Sequence, residues 1–505
     1  MPDLPSEVRR SGLRKRLIQP EVLQLVPEVL ARKYNVMPLE IKGNVLQVGM
    51  ANLADISALE ALESQTEMHV EPQAASIEEI QEAIDFNYKA YEAVEKEISS
   101  ISLPSETGEK EIKLDTVTDA PVARALTLII DEAVKARASD IHLQPEEDGL
   151  RVRYRIDGTL KDVFSLPLET AYLLISRVKI LANMNIADHH RPQDGQISVK
   201  TKGRAIDIRV ATIATVHGEM AALRLLDKAR AVKALPELGF LPECLARYEE
   251  MLKVPYGMVL VSGPTGAGKT TTLYASLNTL DRKAKNIITV EDPVEYRFKN
   301  INQIQVNPRA GLTFASGLRS ILRLDPNVIL IGEIRDAETA GIAVQSALTG
   351  HLVLSSIHAN DAVGVVSRLI DLGVEPFLVA CALIGVVAQR MARRICSDCA
   401  TLVDVPLAER IAYTKETGEE RSQFLCGSGC KSCVNTGCHG RVGLFEILHM
   451  SDEIRTSLLK GATATQLRTQ AIKEGMIPLI KDGMLKVKAG ILTPAEVLRN
   501  AYSVD

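Results

Sequence analysis

The sequence predicts a multidomain α/β protein whose largest domain is built on an open parallel sheet. Its 505 residues correspond to about three domains at roughly 100–200 residues each. From about residue 233, short apolar runs alternate with helical stretches, as expected for strands that are covered on both faces. Two Cys-x-x-Cys pairs near residue 400 add a small cysteine-rich segment.

The composition excludes several classes of protein. Hydrophobic residues make up 46% and charged residues 24%, which excludes collagen-like and wholly disordered chains. A net charge of −5, with 4% aromatic residues and no Trp, disfavours a protein that coats or stacks on nucleic acid. The longest apolar run, 377–388, is shorter than the ~20 residues of a membrane-spanning helix. The N-terminus lacks a secretory signal, so we expect a cytoplasmic protein.

The N-terminal part is predicted to be a small α/β module over residues 1–92. Residues 45–50 alternate like a strand, and residues 77–84 space apolar side chains like a helix face. The polar, acidic residues 93–118 are interpreted as a linker.

A second module is predicted over residues 119–232. Residues 122–136 have helical periodicity, and residues 150–156 alternate apolar and basic side chains. Asp157-Gly158 follows directly, which is typical of a hairpin turn. Residues 203–210 alternate again and predict another strand.

The third region, 233–395, contains the parallel sheet. Polar or glycine residues follow each apolar run at once. Because ligands bind at the carboxyl ends of parallel strands, these endings are expected to converge on one site. The four predicted strands are 258–261, 287–290, 328–331 and 352–354.

A phosphate-binding loop follows the first of these strands and opens a helical stretch, 271–280. The segment matches G-x-x-x-x-G-K-[ST] in full. Its backbone N–H groups and the helix N-terminus attract phosphate. Lys269 is expected to reach the β- and γ-phosphates of a nucleotide, and Thr270 to ligate Mg²⁺. The predicted phosphate-binding residues are Gly263, Pro264, Thr265, Gly266, Ala267, Gly268, Lys269, Thr270 and Thr271.

Three other strand endings carry acidic or imidazole side chains. Glu333 is expected to act on Mg²⁺ through water or to polarise the water itself. One of Glu291, Asp292 and Glu295 is a candidate general base, with a solvated cap as the alternative. His358 is a candidate sensor of the γ-phosphate, with a structural histidine as the alternative.

Arginines are placed as expected for an oligomeric nucleotide hydrolase, in which an arginine at the γ-phosphate raises the rate by ~10³–10⁵. Surface ion pairs are the alternative interpretation for each of them. The candidates are Arg209, Arg224, Arg319, Arg323, Arg335 and Arg368.

The cysteines predict a structural zinc subdomain over residues 396–440. Four thiolates complete a tetrahedral zinc site, whereas a redox dithiol would need a single Cys-x-x-Cys pair. Cys426 and Cys438 are spare and could replace a ligand. The remaining residues, 441–505, are expected to form a helical part of the third domain. The predicted zinc ligands are Cys396, Cys399, Cys430 and Cys433.

Together these motifs resemble the type II secretion and type IV pilus assembly ATPases, most closely the secretion branch. The resemblance covers nearly the whole chain. Related retraction ATPases lack the cysteine insert and the long N-terminal module, which disfavours retraction. The segments that carry the resemblance are 138–143, 150–158, 191–195, 263–270, 288–295, 332–336 and 349–361.

The resemblance implies a RecA-like P-loop NTPase core, a PAS-like second domain and the family's zinc subdomain. It implies that Glu295 is a catalytic carboxylate and that Glu333 is a catalytic or metal-shell carboxylate. Arg209 and Arg224 are then expected to reach the nucleotide from the second module. The arginines expected to line the site or the subunit boundary are Arg319, Arg323, Arg335 and Arg368.

It also implies a cytoplasmic homo-hexamer that binds ATP, Mg²⁺ and Zn²⁺ and drives pseudopilus growth. The N-terminal module is expected to dock on the cytoplasmic domain of an inner-membrane secretion protein, with a platform protein as a further partner and peripheral attachment to the inner membrane. No nucleic-acid partner is expected. Pilus assembly, nucleic-acid translocation and a regulatory scaffold without turnover remain the alternatives.

Overall fold

The computed structural model describes residues 18–100, 120–201, 204–227, 233–430, 432–433 and 436–501. Within these residues no helix combines the length and the apolar character needed to span a bilayer. The chain divides into two compact units. The first comprises Met1–Lys228, Cys396–Thr401 and Gly427–His439, and the second comprises Ala229–Ile395, Leu402–Cys426 and Gly440–Asp505.

The first unit begins with a three-stranded sheet in the order β1-β2-β3. β1 is antiparallel to β2, and β2 is parallel to β3. The predicted strand 45–50 is confirmed, and the helix predicted at 77–84 starts at a capping box between Ser76 and Glu79. The elements are α1 (Pro20–Leu25), α2 (Glu28–Tyr34), β1 (Val36–Lys42), β2 (Val45–Met50), α3 (Ile56–Thr66), β3 (His69–Ala74) and α4 (Ile77–Ser99).

α4 extends to Ser99, into the segment predicted to be a linker. The reason is packing: Val94 and Ile98 are buried in one cluster with Val122 and Leu126 of α5 (Ala120–Lys135). Burying these side chains repays the entropy of ordering the extra helical turns. Residues 101–118 of the predicted linker, and residue 119 of the predicted second module, lie outside the described residues.

The next sheet of the first unit has six antiparallel strands in the order β6-β5-β4-β9-β8-β7. The predicted hairpin is present, with Asp157 and Gly158 both in the left-handed region (φ 47° and 91°). Its elements are β4 (Asp140–Pro145), β5 (Leu150–Ile156), β6 (Thr159–Leu166), α6 (Glu169–Leu181), β7 (Gln193–Thr201), β8 (Arg204–Thr215) and β9 (Gly218–Asp227).

Residues 233–501 contain most of the described helices and the largest of the described sheets. Short 3₁₀ turns occur at Leu235–Leu238, Pro308–Ala310 and Ser397–Cys399. The other elements are α7 (Pro242–Lys253), β10 (Gly257–Ser262), α8 (Lys269–Thr279), β11 (Ile287–Glu291), β12 (Asn302–Gln305), α9 (Phe314–Ile321), β13 (Val328–Ile334), α10 (Ala337–Leu348), β14 (Leu352–Ile357), α11 (Ala362–Asp371), α12 (Pro376–Ala382), β15 (Leu383–Ile395), β16 (Ala400–Asp404), α13 (Leu407–Thr417), β17 (Gln423–Gly427), β18 (Cys438–His449), α14 (Asp452–Leu459), α15 (Ala464–Lys473), α16 (Leu479–Lys488) and α17 (Pro494–Ala501).

The largest sheet has seven strands in the order β12-β11-β13-β14-β10-β15-β18, and β16 pairs with β17 separately. All four predicted strands lie side by side in it and run parallel. Met258 and Leu260 of β10 pack into the core on one face, and Val259 and Val261 pack into the core on the other. This two-sided burial explains why the strands are continuous apolar runs.

The expectation that residues 441–505 are helical is wrong for their first part. β18 continues to His449 as an outer strand of the sheet, and the helices begin at Asp452. The segment from Val442 to Leu448 is buried throughout, so its apolar run is that of a covered strand.

Candidate active site

The loop between β10 and α8 requires glycine at its two ends. Gly263 has φ 144° and Gly268 has φ 88°, where other residues are strained. A Cβ on Gly263 would also lie 2.4 Å from the carbonyl oxygen of Gln389. Nothing lies within 4 Å of a Cβ placed on Gly266, between them. The loop is therefore closed against β15 and open at its tip.

Lys269 lies over this loop. Its Nζ donates to the carbonyl oxygens of Gly263 (2.8 Å) and Pro264 (3.1 Å). Burial lowers the pKa of Lys269, opposed by the Glu333 carboxylate and aided by Arg390. Phosphate oxygens are stronger acceptors than these carbonyls, and Thr270, the next residue in the chain, is exposed. The residues present therefore fit a nucleotide phosphate with Mg²⁺ on Thr270.

Glu333 and His358 meet at the ends of neighbouring strands β13 and β14. Glu333 Oε2 is 3.4 Å from His358 Nε2, and Glu333 Oε1 accepts from Arg335. Burial acts to raise the pKa of Glu333, but Arg335, His358 and Lys269 together hold it below its usual range. Glu333 is therefore a carboxylate whose charge is stabilised by the Arg335 guanidinium and by the Lys269 ammonium.

The acidic residues after β11 have separate surroundings. Glu291 is buried and accepts from Tyr274 Oη, from Thr289 Oγ1 (2.6 Å) and from Gln303 Nε2 (3.1 Å). These contacts make Glu291 a structural carboxylate that holds α8 and β12 to β11. Glu295 is half-buried, and its backbone N–H donates to the same Tyr274 Oη at 3.2 Å. The structure therefore favours Glu295 and Asp292 over Glu291 as candidate bases.

The candidate arginines of the second unit do not form one cluster. Arg335 contacts Glu333, whereas Arg319 forms an ion pair with Glu338 on α10. Arg323, just after α9, and Arg368, in the last turn of α11, are exposed.

In the first unit, Arg209 of β8 and Arg224 of β9 are directly opposite each other. Arg224 Nε donates to Asp140 Oδ1 at 3.0 Å, and Arg155 Nε lies 3.6 Å from Asp140 Oδ2. Asp140 is largely buried. It therefore fixes the direction of the Arg224 side chain by a charge-assisted hydrogen bond.

Two residues of β15 join the site although sequence reasoning missed them. Gln389 is buried, donates to Ala267 O (2.6 Å) and accepts from Thr272 Oγ1 (2.8 Å), so it fixes the phosphate loop to α8. Arg390 Nη2 donates to Asn360 O (2.7 Å), two residues beyond His358. Both follow the apolar run 377–388, so the pattern of polar strand endings could have identified them.

The four predicted zinc ligands form one cluster, with all their Sγ atoms within 4.8 Å of one another. Cys396 and Cys430 are 3.5 Å apart, Cys399 and Cys433 are 3.8 Å apart, and Cys430 and Cys433 are 3.7 Å apart (Sγ to Sγ). Four sulfurs around zinc at about 2.3 Å are about 3.8 Å apart, so the cluster fits a tetrahedral zinc ion. The backbone N–H of Gly429 donates to Cys399 Sγ, as outer-shell groups do around such sites.

Comparisons with known proteins give the same fold. Residues 115–499 match the family described as Type II/IV secretion system protein, and residues 9–93 match the MshEN domain. The type IV pilus assembly ATPase PilB of Myxococcus xanthus (strain DK1622) is 40% identical over 492 residues, which cover 96% of this chain and 87% of PilB. The type II secretion system protein HxcR of Pseudomonas aeruginosa is 46% identical over 407 residues, which cover 81% of this chain and 83% of HxcR. The solved pilus retraction motor PilT, with bound ADP, has a TM-score of 0.52 at 26% identity, covering 75% of this chain and 96% of PilT.

Proposed function

The chain belongs to the Type II/IV secretion system protein family, and on this premise we propose that it is a Mg²⁺-dependent ATPase that drives protein export by type II secretion. The observation that carries the proposal is the pair of Glu333 and His358 at adjacent strand ends, with Glu333 close enough to Lys269 to oppose the lowering of the Lys269 pKa by burial. A phosphate loop, a carboxylate and a hydrogen-bond donor are the groups that phosphoryl transfer to water requires.

Each residue of this site has a role in the proposed hydrolysis. The backbone N–H groups of the loop and Lys269 hold the β- and γ-phosphates. Mg²⁺, when bound through Thr270, neutralises charge that develops on the phosphate oxygens. Glu333 accepts a hydrogen bond from the attacking water and orients it, with Glu295 as a second carboxylate. His358 donates to the γ-phosphate, while Arg335 keeps Glu333 ionised.

The remaining assignments concern assembly. The exposure of Arg323 and Arg368 supports a place for both at a subunit boundary. Arg319 lies in α9, four residues before Arg323. Arg209 and Arg224 supply positive charge to a nucleotide in a homo-hexamer that changes shape during the cycle. The N-terminal module docks on the cytoplasmic domain of an inner-membrane partner. The changes in shape of the hexamer are transmitted to a membrane platform protein.

Pilus assembly is the second candidate, because PilB of Myxococcus xanthus is 40% identical to this chain over 96% of its length. Both functions would use the same hydrolysis of ATP, and they would differ in the polymer that is assembled, a pseudopilus or a pilus. Deleting the gene in its source organism and measuring both exported proteins and surface pili separates the two functions. Loss of export with intact pili supports secretion, and the reverse result supports pilus assembly.

The proposed ATPase is tested by phosphate release from purified protein with Mg²⁺-ATP at increasing protein concentration, with light scattering for the mass. We expect activity per chain to rise as a hexamer forms. Constant activity from a monomer would mean that each chain carries a complete site, and the subunit-boundary roles of the arginines would be wrong. No turnover at any concentration, alone or with the membrane partner's cytoplasmic domain, would contradict the proposed enzyme.

A further inference from the structure

A buried carboxylate outside the phosphate loop joins the starts of two helices. Glu446 of β18 is 1% exposed. Its Oε1 accepts from the backbone N–H of Ala362, the first residue of α11, at 2.9 Å. Its Oε2 accepts a longer bond, 3.4 Å, from the N–H of Leu479, the first residue of α16. Burial raises the pKa of Glu446, and the N–H groups at the two helix starts oppose that rise.

Arg468 of α15 extends this contact to the residue that caps α11. Its Nη1 lies 3.6 Å from Glu446 Oε2, and its Nη2 forms an ion pair with Asp361. Asp361 is the N-cap of α11, and its Oδ1 accepts from the Gly364 N–H at 2.7 Å. Arg468 therefore bridges the two carboxylates that hold the start of α11.

The same short segment is held from its other side. Arg390, next to the phosphate loop on β15, donates to the carbonyl oxygen of Asn360 at 2.7 Å. His358 opens this segment directly after β14, and its side chain is about half exposed, with Glu333 Oε2 at 3.4 Å. Since the His358 side chain is only partly packed, the backbone after it determines where the imidazole lies.

We infer that Arg468 and Glu446 are positioning residues for hydrolysis: by fixing the start of α11 they hold His358 beside Glu333. The inference rests on the proposed function, because it requires His358 to act on the phosphate. A residue of the C-terminal helices would then contribute to hydrolysis, although Arg468 is 107 positions from Asp361 and 110 from His358 in the chain. A displacement of about 1 Å in a reacting group can lower a rate by about 10²-fold.

The test compares ATP hydrolysis and ATP binding in Arg468→Ala, Arg468→Lys and Glu446→Gln. We expect Arg468→Ala to lower kcat by about 10- to 100-fold while the Kd for a non-hydrolysable ATP analogue changes by less than about twofold. Arg468→Lys, which keeps the charge, is expected to recover part of kcat. Arg455→Ala is the matched control, because Arg455 lies on the neighbouring α14 with similar exposure, 37% against 35%, and pairs with Asp452.

A double-mutant cycle shows whether Arg468 acts through His358. In a His358→Ala background, Arg468→Ala is expected to have little further effect on kcat, because residues that act as a unit are not additive. Equal losses in both backgrounds, a wild-type kcat for Arg468→Ala, or a rise in Kd that matches the loss of kcat would each overturn the inference. If Arg468→Ala does not fold, Arg468→Lys and Glu446→Gln replace it in the same double-mutant cycle with His358→Ala.

The cycle also separates the inference from the proposed function. If His358→Ala keeps a wild-type kcat, the role of His358 is wrong and the inference is overturned with it. If His358→Ala is impaired and the Arg468 and Glu446 variants are not, only the inference is overturned.

Discussion

Glu333 Oε2 and His358 Nε2 are 3.4 Å apart because the register of β13 and β14 places Ile334 opposite Ile357. The two side chains therefore lie at the carboxyl end of the parallel strands, one on each of two neighbouring strands. Arg335 contacts the other oxygen of Glu333. This arrangement keeps one carboxylate ionised and one imidazole within reach of it, beside the loop that carries Lys269.

Replacing Glu333 by Gln is expected to separate binding from hydrolysis. The amide keeps the shape of the side chain but is a poor acceptor for the attacking water, so kcat should fall by about 10²–10⁴-fold with ATP still bound. Phosphate release and analogue binding measure the two quantities. Glu375→Gln is the control, since Glu375 is exposed and its side chain does not cap α12. Wild-type turnover in Glu333→Gln would remove Glu333 from the reaction.

The pH dependence follows from the direction of the Glu333 shift. Burial raises the pKa of Glu333, but Arg335 and the neighbouring cations outweigh burial and leave it below its usual range. A depressed pKa stabilises the fold above the ordinary value of about 4.3 and loses that contribution only as the pH falls through the lower value. We therefore expect no loss of kcat from Glu333 between pH 8 and about 5. An acid limb in that range that disappears in Glu333→Gln would show the opposite shift.

Asp140→Asn is expected to weaken hydrolysis through Arg224. The substitution removes the negative charge that accepts from Arg224 Nε at 3.0 Å, so the guanidinium is held less firmly in that direction. If Arg224 acts on the nucleotide, kcat should fall by about tenfold or more. Asp148→Asn is the control, because Asp148 is 73% exposed and lies near Arg151 in the same sheet. Unchanged kcat in Asp140→Asn would leave Arg224 with a structural role.

The cysteine cluster predicts about one tightly bound zinc ion per chain. Burial raises the pKa of Cys396 to about 11, so the metal-free thiol is protonated at neutral pH and zinc binding releases protons. Cys399→Ser should lower both the zinc content, measured by elemental analysis, and the melting temperature. Cys381→Ser is the control, since Cys381 is exposed and lies outside the cluster. Full zinc content in Cys399→Ser would point to a different ligand set.

Sequence patterns predicted the parts of the fold that depend on local periodicity. The four parallel strands are continuous apolar runs, and the phosphate loop and the cysteine pairs have fixed spacings. β12 was missed because it is a short, polar outer strand, Asn302–Gln305. β18 was missed because its buried run follows the cysteine segment without a helical stretch between them.

The contacts of the supporting residues could not be predicted in this way, although Gln389 and Arg390 directly follow the apolar run 377–388. Gln389 binds Thr272, 117 positions away, and Glu446 binds Ala362, 84 positions away. Such contacts depend on which strands become neighbours, and no period or spacing in the chain encodes them. Glu291 shows the reverse case, because this strand-end carboxylate was a candidate base and is held in place by three hydrogen bonds.

The measurement that tests the ATPase site most directly is phosphate release and ATP binding by Lys269→Ala, beside wild type and Lys253→Ala. Lys253 is an exposed lysine at the end of α7, away from the loop in sequence. Lys269→Ala is expected to lose nucleotide binding and turnover by at least about 10³-fold, while Lys253→Ala behaves as wild type. Turnover within a few-fold of wild type in pure, folded Lys269→Ala would contradict the assignment of this loop as the site of ATP hydrolysis.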